Sequence, residues 1–536
     1  ADDVKNAPNR VDGVAKVIGK AKFIAEFKFA NLAHGYLVQS TVAKGKISSI
    51  ETAEAEKQTG VIKIFTHLNT PKNLVQPGAA EYFDESSRQH LPLTSDEILF
   101  NAQPIALVVA ETFEQARFAA SLVKVRYAKT SFDTNFSQNL DKGFVLGQAT
   151  PDRGNPTEAF AKADTKIEAK YTIPIEHHNA MEPHASIANW ENNKLTIYDK
   201  TQGVTGVRDY LAKVFAFPKE NITVLSPFVG GAFGAALRPT PNTFLSALAS
   251  RELKRPVKIV YSRRQLSTAY GYRPFASQNV KLGADKNGKL TAIIHESFAN
   301  TSTFENFSED ISANSRSLYA CLNVKTVSKI VKTDLFTPYW MRAPGTVTAM
   351  FALESAMDEL AYQLKIDPLE LRLINYAEVD PDNGKPFSSK ELRKCYSEAA
   401  KRFGWEKRKP EPRSSKDGNW LVGWGMATGT WGAFLAPSSA RVTLKSDGTA
   451  LIESGTTDIG PGTYTTISII AAKVLGLPIE KVKFVLGDSN LPAAPAQGGS
   501  LTTASVGTAV QECSQILLKK LFELAKLENA KFEDVK

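Results

Sequence analysis

Apolar positions along this chain fall into short runs, typical of strands, that alternate with stretches at helical spacing. At the start, VDGVAKVIGKAKFIAEF leads to an apolar strand around Leu37 to Ser40, followed by VIKIFTHLNTP. PIALVVAET, at 104–112, is continuous enough for a strand covered on both faces. Thr112 to Val123 has helical spacing, and VKVRYA after it is a strand again. The pattern predicts a compact α/β domain, with Ser131 to Pro156, rich in Asn, Asp, Gly and Pro, as a linker.

From Thr157 the pattern restarts. Lys166 to Thr172 is a strand, KLTIYDKTQGV is a strand ending at Gln202, and a helix follows across Arg208 to Phe215. Next come an apolar strand, Asn221 to Phe228, a glycine loop, and a helix that begins near Thr240. GADKNGKLTAI is a hairpin with Asn-Gly at its turn. VKTDLFTPYW then reads as a strand, MRAPG as a loop, and TAMFALESAMDELAYQL as an amphipathic helix. Arg402 to Asn419 is polar and without periodicity, a boundary. Beyond it TALIESGTT, DIGPGTYT and ISIIAAKVLG form a third strand–loop–helix unit, and EKVKFVLGDS, QGGSLTTAS and a helix ending at Leu527 form a fourth.

Composition narrows the possibilities. A chain of 536 residues, 43% hydrophobic and 23% charged, holds roughly three or four domains and sizeable cores. A net charge of +9, with no block of like charges, is too dilute to indicate nucleic acid. Cys321, Cys395 and Cys513 are too few and too scattered for a disulfide framework or an iron–sulfur cluster held by this chain alone. No apolar run reaches the length of a membrane span. The opening ADDVKNAPNR is not a signal peptide, and the first methionine is Met181, as expected of a processed or trimmed chain. The compartment stays open between bacterial cytoplasm and periplasm.

Candidate chemistry lies in the loops. FVGGAFGAALRP, from Phe228 to Pro239, places three glycines before a helix, so backbone N–H groups and a positive helix end can meet an anion. The spacing fits neither a P-loop nor the dinucleotide fingerprint, and a ligand-free tight turn is the competing reading. Arg342 in MRAPG suits a phosphate or carboxylate. Ser500, Thr502, Thr503 and Ser505 can cap a helix or donate to an anion. The cluster PIEHHNAMEPHASIANW has no helical histidine pair, so pocket lining or packing is favoured over a metal site for His177, His178, His184, Glu176 and Glu182. Four such loops together point to one large oxyanionic or phosphorylated cofactor held by many backbone donors.

Taken in order, these residues resemble a family. Gln202 lies 31 positions before Phe233 of GGAFG, and MRAPG, DIGPGTYT and GGSLTTASVGTAV follow. The series is similar to the molybdopterin-binding large subunit of the xanthine dehydrogenase/aldehyde oxidase family, closest to its bacterial aldehyde-oxidising branch. RVDGVAKVIGKAKF, RPVKIVYSRRQ and KIDPLELRLIN read like family segments too. The resemblance implies a mixed α/β, α+β architecture: an α/β-hammerhead domain at 1–145 and two elongated cofactor-binding domains at 146–405 and 406–536, the second incomplete. It implies molybdenum–molybdopterin, in the cytosine dinucleotide form, and oxidation of aldehydes to carboxylic acids with water as oxygen source.

By the same resemblance Gln202, Phe233, Arg342 and Ala504 would contact the ligands of molybdenum, and the first three would be catalytic. Gly230, Gly231, Ala232, Gly234, Met341 and Ala343 would surround the metal and pterin. Gly460, Gly462, Thr463, Gln497, Gly498, Gly499, Ser500, Thr503, Ala504 and Ser505 would hold the pterin and nucleotide tail. Two positions depart from relatives. Leu237 replaces the substrate-binding glutamate of purine oxidisers, which disfavours purines, and Pro461 stands where many relatives have glutamine. The general-base glutamate of the family is expected beyond Lys536, in a truncated part or a separate chain. Iron–sulfur and flavin subunits are expected partners, because electrons must leave the metal. Hydroxylation of an aromatic N-heterocycle, or a cofactor-binding fragment inactive alone, are the alternatives.

Overall fold

The computed structural model describes residues 8–77, 89–268 and 270–525; the expected helix end at Leu527 lies outside them. Seven strands form the largest sheet, in the order Ile222–Leu225, Lys194–Asp199, Ala185–Glu191, Val257–Val260, Ala33–Gln39, Pro104–Ala110 and Val61–Thr66. Two neighbouring pairs are parallel, Ile222–Leu225 with Lys194–Asp199 and Ala33–Gln39 with Val257–Val260. All seven residues of Pro104–Ala110 are buried, as its unbroken apolar run predicts. Truncating Leu107 to alanine there would cost about 2–5 kcal/mol.

This sheet crosses the expected boundary at 145. Ala33–Gln39 of the first block pairs directly with Val257–Val260, and Leu37, Phe65 and Leu107 share one core with Val207, Phe244 and Ile259. The first block is therefore not closed on itself. Its apolar strands gave no sign of their partners, because parallel pairing over more than 200 residues leaves no local signal. The helix Phe113–Leu122 does follow local signals: Thr112 accepts the Gln115 N–H at 3.2 Å and Gln115 returns the bond, a capping box.

A second sheet orders Val324–Thr333, Leu290–Ser302, Ala276–Ala284 and Thr165–Ile173, with the helix Thr346–Leu364 packed across it. The strand expected across VKTDLFTPYW stops at Thr333, where its ladder with Ser302 ends; residues 334–340 continue without strand pairing. The expected linker at 131–156 is ordered against this sheet, with Phe144 and Arg153 bridging Ile330 and Val324 of the edge strand. Short polar segments with glycine and proline can dress a sheet edge as well as join domains, and composition does not separate the two.

The third sheet, Arg441–Leu444, Ala450–Glu453 and Val482–Val485, packs against the helices Thr463–Leu475 and Thr502–Ala525. Arg372 of the DPLELRLI segment lies beside the Thr346–Leu364 helix of the second sheet. Its buried guanidinium bonds Glu354 at 2.8 Å and Asp358 at 2.8 Å, while Glu354 also accepts the Thr428 N–H at 2.7 Å. Through Glu354 this buried ion pair holds the segment at Thr428 against the Thr346–Leu364 helix.

Candidate functional site

Two parallel strands set the site. Lys194–Asp199 and Ile222–Leu225 run side by side, so the residues that follow them, Gln202 and the loop at 228–239, emerge at one end of the sheet. Carboxyl ends of parallel strands are where open sheets place ligands. The loop turns sharply there, with positive φ at Gly231 (+87°), Phe233 (+58°) and Gly234 (+107°). A Cβ on Gly234 would overlap the Trp340 carbonyl oxygen, so only glycine fits. Phe233, a non-glycine residue in the left-handed region, carries strain on the order of 1–3 kcal/mol. Its carbonyl accepts the Arg342 N–H at 2.8 Å, which joins the first and second loops, and its ring is 42% exposed.

Gln202 is the hub of the arrangement. Only 1% exposed, it accepts the N–H groups of Gly234 (3.0 Å) and Ala236 (3.2 Å) on Oε1 and donates from Nε2 to the Gln497 carbonyl at 2.6 Å. Its backbone pairs with Ala236, Gln497 and the Thr457 hydroxyl. The side chain thus fixes the first and fourth loops, and the backbone carbonyl holds the approach to the third. Its second amide hydrogen meets no acceptor among the described residues.

Buried side chains hold the second loop. His178 Nε2 bonds the Trp340 carbonyl at 2.7 Å, Arg273 donates to the Arg342 carbonyl at 2.8 Å, and Glu309 accepts the Gly345 N–H at 2.9 Å. Burial holds the His178 imidazole down at about 4 and pushes the Glu309 carboxyl up to about 7. Met341 and Ala343 are half-buried, Ala343 with φ +54°. Arg342 is exposed, and its guanidinium makes no ion pair among the described residues. The histidines and glutamates of PIEHHNAMEPHA are spent on such contacts: His184 stacks on Tyr270, and Glu182 accepts the Gly230 N–H at 2.7 Å. Among the described residues no group of three His, Cys, Asp or Glu could hold a metal ion.

The third loop is closed on itself. Asp458, 1% exposed, accepts the N–H groups of Gly460 (2.8 Å), Gly462 (3.3 Å) and Tyr464 (3.4 Å), so these donors are occupied before any ligand arrives. Thr463 Oγ1 accepts from Gln497 Nε2 at 2.8 Å, and Gln497 Oε1 accepts the Ile459 N–H at 2.7 Å. Pro461, lacking an N–H, leaves nothing unpaired there.

The first and fourth loops are different. The N–H groups of Gly231, Ala232 and Phe233 have no acceptor among the described residues. Nor have those of Gly498, Gly499, Ser500, Thr503 and Ala504 at the start of the Thr502–Ala525 helix, where the Thr502 hydroxyl is also buried without a partner. Ser505 is occupied, accepting the Ala436 N–H at 3.0 Å, and the Gly499 carbonyl takes the Trp431 indole N–H at 2.9 Å. Leu237 sits against Gly498, where an added Cβ would lie 3.1 Å away. Two sets of unspent backbone donors, joined through Gln202 and Gln497, fit a large anionic group with several oxygen atoms.

Sequence reasoning placed Gln202, Gln497 and the four loops, but missed Glu182, Asp458, Glu309 and Arg273 as the groups that hold them. Asp458 had a signal: a carboxylate two residues before a glycine turn is an ordinary cap for that turn. The others act across distances in sequence of 36 to 69 positions and left no local pattern.

Comparison with known proteins brings further findings. The aldehyde oxidase and xanthine dehydrogenase a/b hammerhead domain matches residues 18–131, and molybdopterin cofactor-binding domains match 139–376 and 398–536. The chain is 40% identical over 496 residues to the aldehyde oxidoreductase molybdenum-binding subunit PaoC of Escherichia coli (strain K12). That match takes in 92% of this chain and 66% of the relative, so the chain spans just under two thirds of the relative's length. It is 28% identical over 537 residues to the xanthine dehydrogenase molybdenum-binding subunit of Escherichia coli O157:H7, covering 95% of this chain and 71% of that one. The fold is also that of the aldehyde oxidoreductase from Desulfovibrio gigas, with a TM-score of 0.82 at 24% identity over 97% of this chain and 61% of that chain. Quinoline 2-oxidoreductase from Pseudomonas putida 86 aligns with a TM-score of 0.82 at 20% identity, covering 97% and 72%. Identities this low speak for the fold alone.

Proposed function

The chain belongs to the xanthine dehydrogenase/aldehyde oxidase family of molybdenum hydroxylases, and from that premise we propose that it is the cofactor-holding subunit of an enzyme oxidising aldehydes to carboxylic acids. The overall change, RCHO + H2O to RCOOH + 2 H⁺ + 2 e⁻, takes its oxygen from water. Molybdenum–molybdopterin, when bound, supplies the two-electron chemistry. The observation that carries this reading is the cradle of unpaired N–H groups at Gly231, Ala232 and Phe233 between Gln202 and Arg342.

Each residue has a task that its surroundings support. Gly231 to Phe233 would hold the cofactor with their unpaired N–H groups, in a loop already bent so that binding costs little reordering. Gln202 offers its remaining amide hydrogen to the same group and, through Gly234 and Gln497, keeps the two donor loops in register. Gly498 to Ser500, Thr502, Thr503 and Ala504 receive the pyrophosphate of a cytosine dinucleotide tail at the helix end. Gly460 and Gly462 shape the pterin wall rather than donate to it, since Asp458 occupies their N–H groups, while Thr463 accepts from Gln497 and keeps its hydroxyl hydrogen for the pterin side. Phe233 lines the approach of the aldehyde, and the exposed Arg342 beside it offers its guanidinium to the carboxylate of the product. Leu237, packed against Gly498, is apolar where purine oxidisers would carry a glutamate, and so gives a purine no acceptor.

The two electrons are passed to an iron–sulfur subunit and then to a flavin subunit, since this chain has only three scattered cysteines. A dye-linked assay of the complete complex tests the reading. Aromatic aldehydes turn over and N-heterocycles and purines do not; turnover of heterocycles alone would make the aldehyde assignment wrong.

A further inference from the structure

The donor cradle has two ends, and they are held by different side chains. Gln202 holds the far end at Gly234 and Ala236. The near end, Gly230, is gripped by Glu182 from both sides of one residue: the Glu182 N–H donates to the Gly230 carbonyl at 3.1 Å, and Glu182 Oε2 accepts the Gly230 N–H at 2.7 Å. Glu182 Oε1 accepts the Ile24 N–H at 3.3 Å, so the same carboxylate ties the loop to the first block of the chain. Its backbone is fixed in turn, because the buried Lys200 ammonium donates to the Glu182 carbonyl at 2.5 Å and Arg263 donates to the Met181 carbonyl at 2.9 Å.

We propose that Glu182 is a positioning residue for the reaction: its two-sided clasp on Gly230 sets the direction in which the N–H groups of Gly231, Ala232 and Phe233 point. The inference rests on the function proposed above. Fit at the clasp is close, as a Cβ on Gly230 would lie 2.6 Å from the Glu182 Cβ. The clasp is also separate from the ligand-facing donors, since Gly230 spends its N–H on the carboxylate and the free donors begin one residue later. Burial pushes the Glu182 carboxyl up and Lys200 down to about 8, the effect expected of charges kept inside for their geometry.

The test uses the complete molybdenum-containing complex with benzaldehyde as substrate. Glu182→Ala removes both carboxylate bonds, Gly230→Ala forces the clasp open from the other side, and Glu182→Gln keeps one acceptor. Turnover is expected to fall at least about tenfold in Glu182→Ala and Gly230→Ala, with KM within about twofold. Molybdenum content should stay above about half of the parent's, and the electron paramagnetic resonance signal of the partly reduced centre should change shape. Glu182→Gln should recover part of the turnover. A parent-like kcat and resonance signal in molybdenum-loaded Glu182→Ala overturns the positioning role. If Glu182→Ala does not fold, the same parent-like result in Gly230→Ala and Glu182→Gln overturns it. Parent complex without molybdenum would instead overturn the function on which the inference rests.

Discussion

Replacing Gln202 by alanine is the most informative single change. It removes one buried side chain and orphans three buried groups: the N–H of Gly234, the N–H of Ala236 and the carbonyl of Gln497. Each unsatisfied buried group costs about 1–3 kcal/mol, so even the low end sums to about 3 kcal/mol. The strain stored at Phe233 adds to the drive for the loop to relax. At 1.4 kcal/mol per factor of ten, about 3 kcal/mol corresponds to a loss of roughly two orders of magnitude in the population of the aligned loop. The cofactor still has the fourth loop to hold it. Steady-state assay of the purified complex should therefore show kcat reduced about 100-fold while molybdenum per chain drops by less than half. Gln202→Glu keeps the acceptor for Gly234 and Ala236 and sets oxygen against oxygen only at Gln497, so its loss should be intermediate. Parent-like turnover in molybdenum-loaded Gln202→Ala refutes the reasoning.

Other expectations follow from the same contacts. Gly234→Ala meets both a positive φ and the Trp340 carbonyl, and the complex should be recovered without bound molybdenum, as measured by elemental analysis. Glu309 titrates at about 7 when folded against 4.5 ordinarily, so the folded protein holds its extra proton between those values and stability falls as pH rises through that window. The loss is about 3 kcal/mol, and Glu309→Gln, which keeps an acceptor for Gly345, should flatten the decline in unfolding midpoints measured from pH 5 to 8. Arg372→Ala leaves Glu354 buried without its cation and should lower stability by about 3–5 kcal/mol in denaturant titrations.

Much of this was legible in the sequence, for identifiable reasons. The glycine loops announced themselves because a left-handed backbone at Gly231 and Gly234 demands that residue type. Helices such as Phe113–Leu122 and Thr346–Leu364 show their period within one stretch, and Thr112 and Gln115 mark a start. The continuous sheet did not show, because Ala33 and Val257 pair across more than 200 residues with nothing local to record it. Nor did the supports of the site. Glu182 stands in a histidine cluster that looks like pocket lining, and only the fold reveals that it faces Gly230. Asp458 was the exception in reverse: its role as a cap was readable, yet the glycines after it suggested free donors that the carboxylate in fact occupies.

The central claim is that the unpaired donors of the first and fourth loops hold molybdopterin in its cytosine dinucleotide form. Metal analysis of the protein from its native host, combined with acid hydrolysis and chromatography of the released nucleotide, tests it directly. Molybdenum and CMP, each equimolar with the chain, are expected; protein carrying neither would contradict a molybdopterin cytosine dinucleotide at these loops.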